Sequence, residues 1–219
     1  MYLLTSILLI IIVLILFHKK FDNFREKHKD AFNFLLTLIA TFVGVFLAIY
    51  FTNQSENNKE KQNAIKLLNA TAFDLSNLTI NVQTTYNVAT IKIDSSYSPK
   101  IHIKDNLPEL PIMYQNILTN ENVLKHLSEV GIKEFYNSNY NLKKMQNIIV
   151  SGNLKTDTAY LEHLKIYIKQ LVFTQKIVAI ETERLNGEIS DKNLIPLYQE
   201  QIDKLIGVKR EDLEKLLNK

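Results

Sequence analysis

The chain has no cysteine and no tryptophan, and glycine and proline are scarce, at five and four of 219 residues. Without cysteine there are no disulfide bonds, no thiolate metal sites and no cysteine nucleophile. The glycines lie far apart, at positions 44, 131, 152, 187 and 207, so none belongs to a glycine-rich phosphate-binding loop. With so few helix breakers, we expect long uninterrupted helices.

Charge and motifs exclude several functional classes. The 26 basic and 23 acidic residues nearly balance, and there is no basic stripe of the kind that binds nucleic acid, so no nucleic-acid partner is expected. His126 and His163 lack the paired spacing of a zinc-binding helix, and no nucleophile elbow occurs. We therefore predict no catalytic, cofactor-binding or metal-ligating residue, no cofactor, and a protein that is not an enzyme.

Two uncharged apolar segments occupy the N-terminal region. Residues 2–17 would reach about 24 Å as a helix, and residues 31–51 are long enough to cross a hydrocarbon core of about 30 Å. Basic residues follow the first segment instead of preceding it, so a cleaved signal peptide is not expected. The pattern predicts a two-helix transmembrane hairpin over residues 1–52, with a basic connector at 18–30. The alternative, two buried helices of a soluble core, would require a polar stripe.

Lysine and arginine predict the orientation in the bilayer. The connector carries five of them, which places it in the cytoplasm by the positive-inside rule. Residues 53–219 would then lie outside the bacterial cytoplasmic membrane. Lys59, Lys61 and Lys66 follow the second span and favour the opposite orientation, in which this large part is cytoplasmic.

The rest of the chain, residues 53–219, has the pattern of an α-helical bundle, and the predicted fold class is all-α throughout. A long stalk helix is predicted over about 53–93, because apolar residues there recur at alternating steps of three and four. They are Ile65, Leu68, Ala72, Leu75, Thr79, Val82, Tyr86, Ala89 and Ile93.

After the stalk the pattern becomes ambiguous. Within residues 88–105, "ATIKID" and "KIHIKD" alternate with period two and could form a strand hairpin, although we favour helix to about 93 and an irregular loop over 94–110. Residues 111–127 indicate one helix, or two short ones meeting near Asn120. Two longer helices then end at Gly152 and Gly187, the second opening at Thr156 or Asp157.

The helix ending at Gly187 is expected to form the centre of the bundle. Its apolar stripe is widened by residues that include Ile166. A further helix is expected between Pro196 and Gly207, and an amphipathic tail, "KREDLEKLLNK", follows it.

Glu181, Glu183 and Arg184 are interpreted as a solvated salt network, with an acid–base cluster as the alternative. The aromatics of "FYNSNYN", 135–141, are expected in the core, with a ligand-binding face as the alternative.

A ridge of small residues on the second span is the one candidate site. Its members are spaced three and four apart, which lets another helix approach closely. Either the first span packs on this ridge, or it joins copies of the chain into a homo-oligomer. The small-residue ridge consists of Thr37, Ala40, Thr41, Gly44 and Ala48.

Residues 42–77, "FVGVFLAIYFTNQSENNKEKQNAIKLLNATAFDLSN", resemble a loose group of uncharacterised bacterial membrane-anchored helical proteins. In that group a basic segment precedes a span that ends in Gly-x-x-x-Ala with asparagine at the interface, and a charged helix follows. The resemblance implies membrane anchorage with an extracytoplasmic helical domain. It carries over no activity and no site residue.

Two functional hypotheses follow from these patterns. The first is a non-enzymatic, membrane-anchored helical protein that acts by assembling or by binding a protein partner, with the lipid bilayer as its other partner. The second is a membrane-perturbing effector of a bacterial defence system, in which the hairpin oligomerises and the soluble domain senses a trigger. The second favours a cytoplasmic sensor domain.

Overall fold

The computed structural model describes residues 2–18, 22–91, 98–152 and 154–207. Within these ranges the chain is helical and contains no strand, which confirms the all-α prediction. The chain divides into two compact units, residues 1–60 and residues 61–219.

The described helices run in the following order. The long helix α3 continues without a break through the polar residues 52–63 that follow its apolar part. A short 3-10 turn, Asp191–Asn193, precedes the last helix. The helices are α1 Tyr2–Leu16, α2 Asp22–Lys27, α3 Lys29–Thr90, α4 Pro99–Asn106, α5 Ile112–Ile117, α6 Glu121–His126, α7 Glu129–Ser151, α8 Asp157–Asn186 and α9 Leu194–Ile206.

The N-terminal unit exposes most of its apolar side chains. Near its start, α3 contains a window that is long and apolar enough to cross a membrane, and only 6% of that window is buried. A core helix of a soluble protein would be mostly buried, so this exposure favours lipid as the surrounding medium. The apolar helix α1 is shorter, at 15 residues.

A few side chains within this unit are buried. The ring of Phe17, just after α1, meets the ring of Phe32 on α3 edge to face, with the centroids 5.7 Å apart. Ser6, Phe32 and Ile39 are buried. Phe32 and Ile39 lie seven residues apart and therefore share one face of α3.

The second unit is a helical bundle centred on α8, as the sequence predicted. Helices α4, α7 and α9 all pack against α8. From α3 the predicted seam faces the same core, where Leu68, Leu75, Val82 and Ala89 are buried. Two hydrogen bonds join α3 to α8: the Gln175 side-chain amide donates to the Leu75 carbonyl at 3.0 Å and to the Thr79 hydroxyl at 2.6 Å.

The predicted helix ends are confirmed. Gly152, Gly187 and Gly207 follow α7, α8 and α9 with φ of 74°, 84° and 74°, the left-handed conformation that glycine adopts most readily. Thr156 caps α8 through a bond from the Ala159 amide at 3.2 Å. Residues 111–127 form two short helices, α5 and α6.

Two sequence-based expectations about the bundle are wrong. Residues 99–106 of the expected loop over 94–110 form α4 instead, because Pro99 occupies the first turn and Ile103 on the same helix is fully buried. "KIHIKD" is therefore helical, which excludes it as a hairpin arm. Ile166, expected to widen the apolar surface of α8, is 45% exposed. The amphipathic tail at 209–219 lies outside the described residues.

Candidate functional site

A buried carboxylate is the main polar feature of the bundle. Glu181 on α8 is 0% exposed and accepts four hydrogen bonds. Its Oε2 accepts from the Ser128 amide at 3.1 Å and from Arg184 Nε at 2.9 Å. Its Oε1 accepts from the Tyr198 hydroxyl at 2.8 Å and from the Ser128 hydroxyl. The carboxylate thus joins α8 to α9 and to the residue that precedes α7.

Arg184 extends this network towards two further segments. Besides Glu181, its guanidinium donates to the backbone carbonyl of His126 in α6. The third guanidinium nitrogen, Nη1, lies 3.6 Å from a carboxylate oxygen of Asp191, which is well exposed. The arginine therefore ties the end of α8 both to α6 and to the loop before α9.

The start of α7 is shaped to receive the carboxylate. Ser128 caps this helix, and its hydroxyl accepts a bond from the Gly131 amide at 2.9 Å. A Cβ at Gly131 would lie 2.6 Å from the Glu181 Cδ and would overlap Oε1. Glycine is needed here for close approach, not for its backbone freedom. The carboxylate also lies at the positive end of the α7 dipole, which stabilises it.

The chemistry open to Glu181 is limited by its surroundings. Each carboxylate oxygen already accepts two hydrogen bonds from the protein, and solvent does not reach the side chain. Burial, followed by the Glu181 charge, raises the pKa of Tyr198 well above its usual range, so this hydroxyl stays protonated and donates. The arrangement acts as a structural tie between helices. The interpretation of Glu181, Glu183 and Arg184 as a solvated network is therefore wrong for Glu181, although Glu183 is exposed.

A second set of polar groups lies deeper in the core. The Gln170 side-chain amide donates to the Ser138 hydroxyl at 3.3 Å, joining α8 to α7. Burial raises the pKa of Tyr167 well above its usual range. The Tyr167 hydroxyl has no hydrogen-bond partner among the described residues.

The described histidines and carboxylates do not gather into a metal site. Within the described ranges, no group of three or more His, Asp or Glu side chains is placed to hold an ion. His163 Nδ1 lies 3.0 Å from the Ala159 carbonyl of its own helix.

The aromatic segment of α7 is divided between core and surface. Phe135 is fully buried as expected, but Tyr136 and Tyr140 are 50% and 66% exposed, which contradicts a core position for them. Tyr140 borders a shallow surface depression together with Lys143, Lys144 and Ile148.

The small-residue ridge on α3 is exposed along its whole length. Each of its five members is exposed, and apart from the adjoining residues of α3 itself, no described atom lies within 4 Å of a Cβ built on Gly44. The Thr37 and Thr41 hydroxyls donate to the carbonyls of Asn33 and Thr37, both at 2.9 Å. At about 100° per residue, the ridge lies on the side of α3 opposite Phe32 and Ile39. In the structure α1 therefore does not cover the ridge, and a role of the ridge in self-association stays a prediction.

Sequence reasoning missed Ser128, Gly131 and Tyr198. A local signal was available for Gly131, because a glycine near the start of a helix often marks the close approach of another group, here the Glu181 side chain. Tyr198 carries no local signal, because only the tertiary fold brings it to α8.

Compared with known proteins, the chain matches no protein-family model, no curated protein and no solved structure. Inferences about its function therefore depend on its own residues.

We expect Tyr198→Phe to destabilise the bundle by about 1.5–3 kcal/mol, because a buried carboxylate loses a donor. The matched control is Tyr167→Phe, which removes a buried hydroxyl without a described partner and should change stability by less than about 0.5 kcal/mol. Unfolding of the full chain in mild detergent, followed by circular dichroism, measures both. Equal losses in the two variants would contradict the structural role of the carboxylate.

Proposed function

We propose that the chain is a membrane-anchored helical protein that works without catalysis, by assembling with copies of itself or binding a protein partner. Residues 1–52 anchor it as a two-span hairpin, and residues 53–219 carry the interaction bundle on a stalk formed by α3. The observation that carries the proposal is the apolar window of α3, of which 94% is not buried by protein.

The side chains on the outside of this window support membrane insertion. Large apolar groups are exposed at several positions around α3, where lipid would contact them favourably. Each gains roughly 1.5–3 kcal/mol when it moves fully from water into an apolar medium. The exposed large apolar residues in this part of the chain are Phe34, Leu35, Leu38, Phe42, Val45, Ile49 and Phe51.

Two observations support a hairpin in which α1 is the first span. The Phe17 ring meets the Phe32 ring, which is the contact expected where two antiparallel spans are joined by a short connector. Ser6 is buried, although most apolar residues around it on α1 are exposed. A helix whose polar side chain faces protein and whose apolar side chains face outward fits lipid as its solvent.

The sealed carboxylate supports a role without catalysis. A general acid or base must come within hydrogen-bonding reach of a substrate, and Glu181 is fully buried with four protein donors. The exposed ridge on α3 supports assembly, because two small-residue surfaces can pack closely within a bilayer.

Gly44→Leu should abolish the oligomer that the ridge forms, since a leucine side chain on Gly44 would keep two helices apart. The matched control is Ile49→Phe, which enlarges an exposed residue of the same helix about 120° around the helix axis from the ridge. Cross-linking in native membranes and particle size in detergent measure the effect. If Gly44→Leu leaves the oligomer intact, assembly does not use the ridge.

We further propose that the bundle lies outside the cytoplasm, as the basic connector favours. Because the chain has no cysteine, single-cysteine variants report location directly. In intact cells, an impermeant maleimide should label Tyr140→Cys on α7 but not Glu26→Cys on α2, both at exposed positions. The reverse pattern would contradict this orientation and favour the effector hypothesis, with a cytoplasmic sensor domain.

A further inference from the structure

The part of α3 that belongs to the bundle exposes large apolar residues on its outer side. Phe73 and Ile80, seven residues apart, are 67% and 60% exposed and lie opposite the buried residues Leu75 and Val82 of the same helix. Six exposed residues of this side fall within an arc of about 80° at about 100° per residue. They form the outer face of α3: Asn69, Phe73, Asn77, Ile80, Thr84 and Asn87.

This side of α3 is almost free of charge. Residues 67–91 contain one charged residue, Asp74, whereas 22% of the whole chain is charged. Asp74 is partly buried and lies about 100° around the helix from Phe73. Lys66 precedes the face, and its flexible stem lets the ammonium stay in water. A helix face that meets only water normally carries charged residues, so the outer face of α3 has the composition of a contact surface.

The polar members of the face are suited to meeting a copy of themselves. In a two-fold contact both copies use the same surface, so a charge on the axis would face a like charge. The side-chain amides of Asn69 and Asn77 each carry donors and an acceptor and can therefore hydrogen-bond to an identical amide. The Thr84 hydroxyl donates to the Ile80 carbonyl of its own helix at 2.9 Å, which leaves the threonine methyl for an apolar contact.

The spacing along the face fits a parallel pair of helices. Phe73, Ile80 and Asn87 recur every seven residues, the repeat at which two parallel helices keep facing each other. From Asn69 to Asn87 the face is about 27 Å long, or about five turns. A contact of this length is weak between free molecules, but copies anchored in one bilayer meet at a high effective concentration.

We propose that the outer face of α3 joins two copies of the chain, with the two α3 helices parallel and in register. Phe73 and Ile80 of one copy then pack against the same residues of the other copy, which removes them from water. The inference rests on the proposed function for the membrane anchor, which makes both copies run in the same direction. The contact uses residues 69–87, none of which belongs to the small-residue ridge, so the two surfaces are tested separately.

Single-cysteine variants of the full chain in native membranes test this pairing, because the chain has no cysteine of its own. Phe73→Cys and Ile80→Cys lie on the face, whereas the matched control, Asn81→Cys, is exposed on α3 about 100° away from Ile80. Helices with axes about 8–10 Å apart bring only facing Cα atoms within the reach of a disulfide, about 4.4–6.8 Å. Mild oxidation should therefore give several-fold more disulfide-linked dimer for the two face variants than for the control.

The yields separate this inference from the anchor. Equal yields for all three variants, or no dimer from any of them, in chain that stays in the membrane fraction would overturn this inference alone. A high yield at only one face position would also overturn it, since an in-register pair brings both positions to their own copies. Chain found in the soluble fraction would overturn the anchor and this inference together.

A charge placed on the face tests whether the partner is a second copy. In the Ile80→Cys background, Asn87→Lys should lower the dimer yield several-fold, because two ammonium groups would face each other. The matched control Asn81→Lys should leave the yield unchanged. Co-expression of the Asn87→Lys chain with an Asn87→Glu chain should restore a mixed dimer. Equal effects of the two lysines, or failure of the mixed dimer to form, would overturn the pairing of two α3 helices through this face.

Discussion

The apolar surface of α3 between residues 31 and 51 is the constraint on which the other features of the protein depend. Large side chains such as Phe34, Phe42 and Phe51 are exposed on it, and no other part of the described chain covers them. A lipid bilayer satisfies this surface without further protein, because backbone groups in a continuous helix are already hydrogen-bonded. In a bilayer, close packing of small residues, such as those of the exposed ridge, can replace the hydrophobic effect as the force between helices.

The bundle is held together by a different kind of interaction. Its core is apolar, but its helix ends are joined by a charged group whose hydrogen bonds are satisfied within the protein. Glu181 on α8 contacts two other segments of the chain through Ser128 and Tyr198, and it also pairs with Arg184 of its own helix. Removing one partner of such a buried group is costly, because the remaining polar atoms lose their solvation without replacement. Buried hydrogen bonds of this kind hold the interior of the bundle in one arrangement, which suits a domain that acts through its surface.

Features of the fold that are set by residues close together in the chain could be predicted from the sequence. The α3 seam and the ends at Gly152, Gly187 and Gly207 follow from local spacing and from left-handed glycine geometry. The two main errors arose where another segment decides the outcome. Glu181 was expected to be solvated because its burial depends on Ser128, 53 positions away. Residues 99–106 were expected in a loop, but they form α4, where the burial of Ile103 outweighs the period-two pattern. The ridge was predicted from residue spacing, whereas only the structure shows that α1 leaves it exposed.

The central claim, that the apolar part of α3 lies within a bilayer, is tested most directly by alkaline carbonate extraction of membranes from cells that express the full chain. Carbonate strips proteins held by surface contacts and leaves those with spans in the hydrocarbon core. The account predicts that the chain stays in the membrane pellet after extraction. Recovery of the chain in the soluble fraction would contradict it.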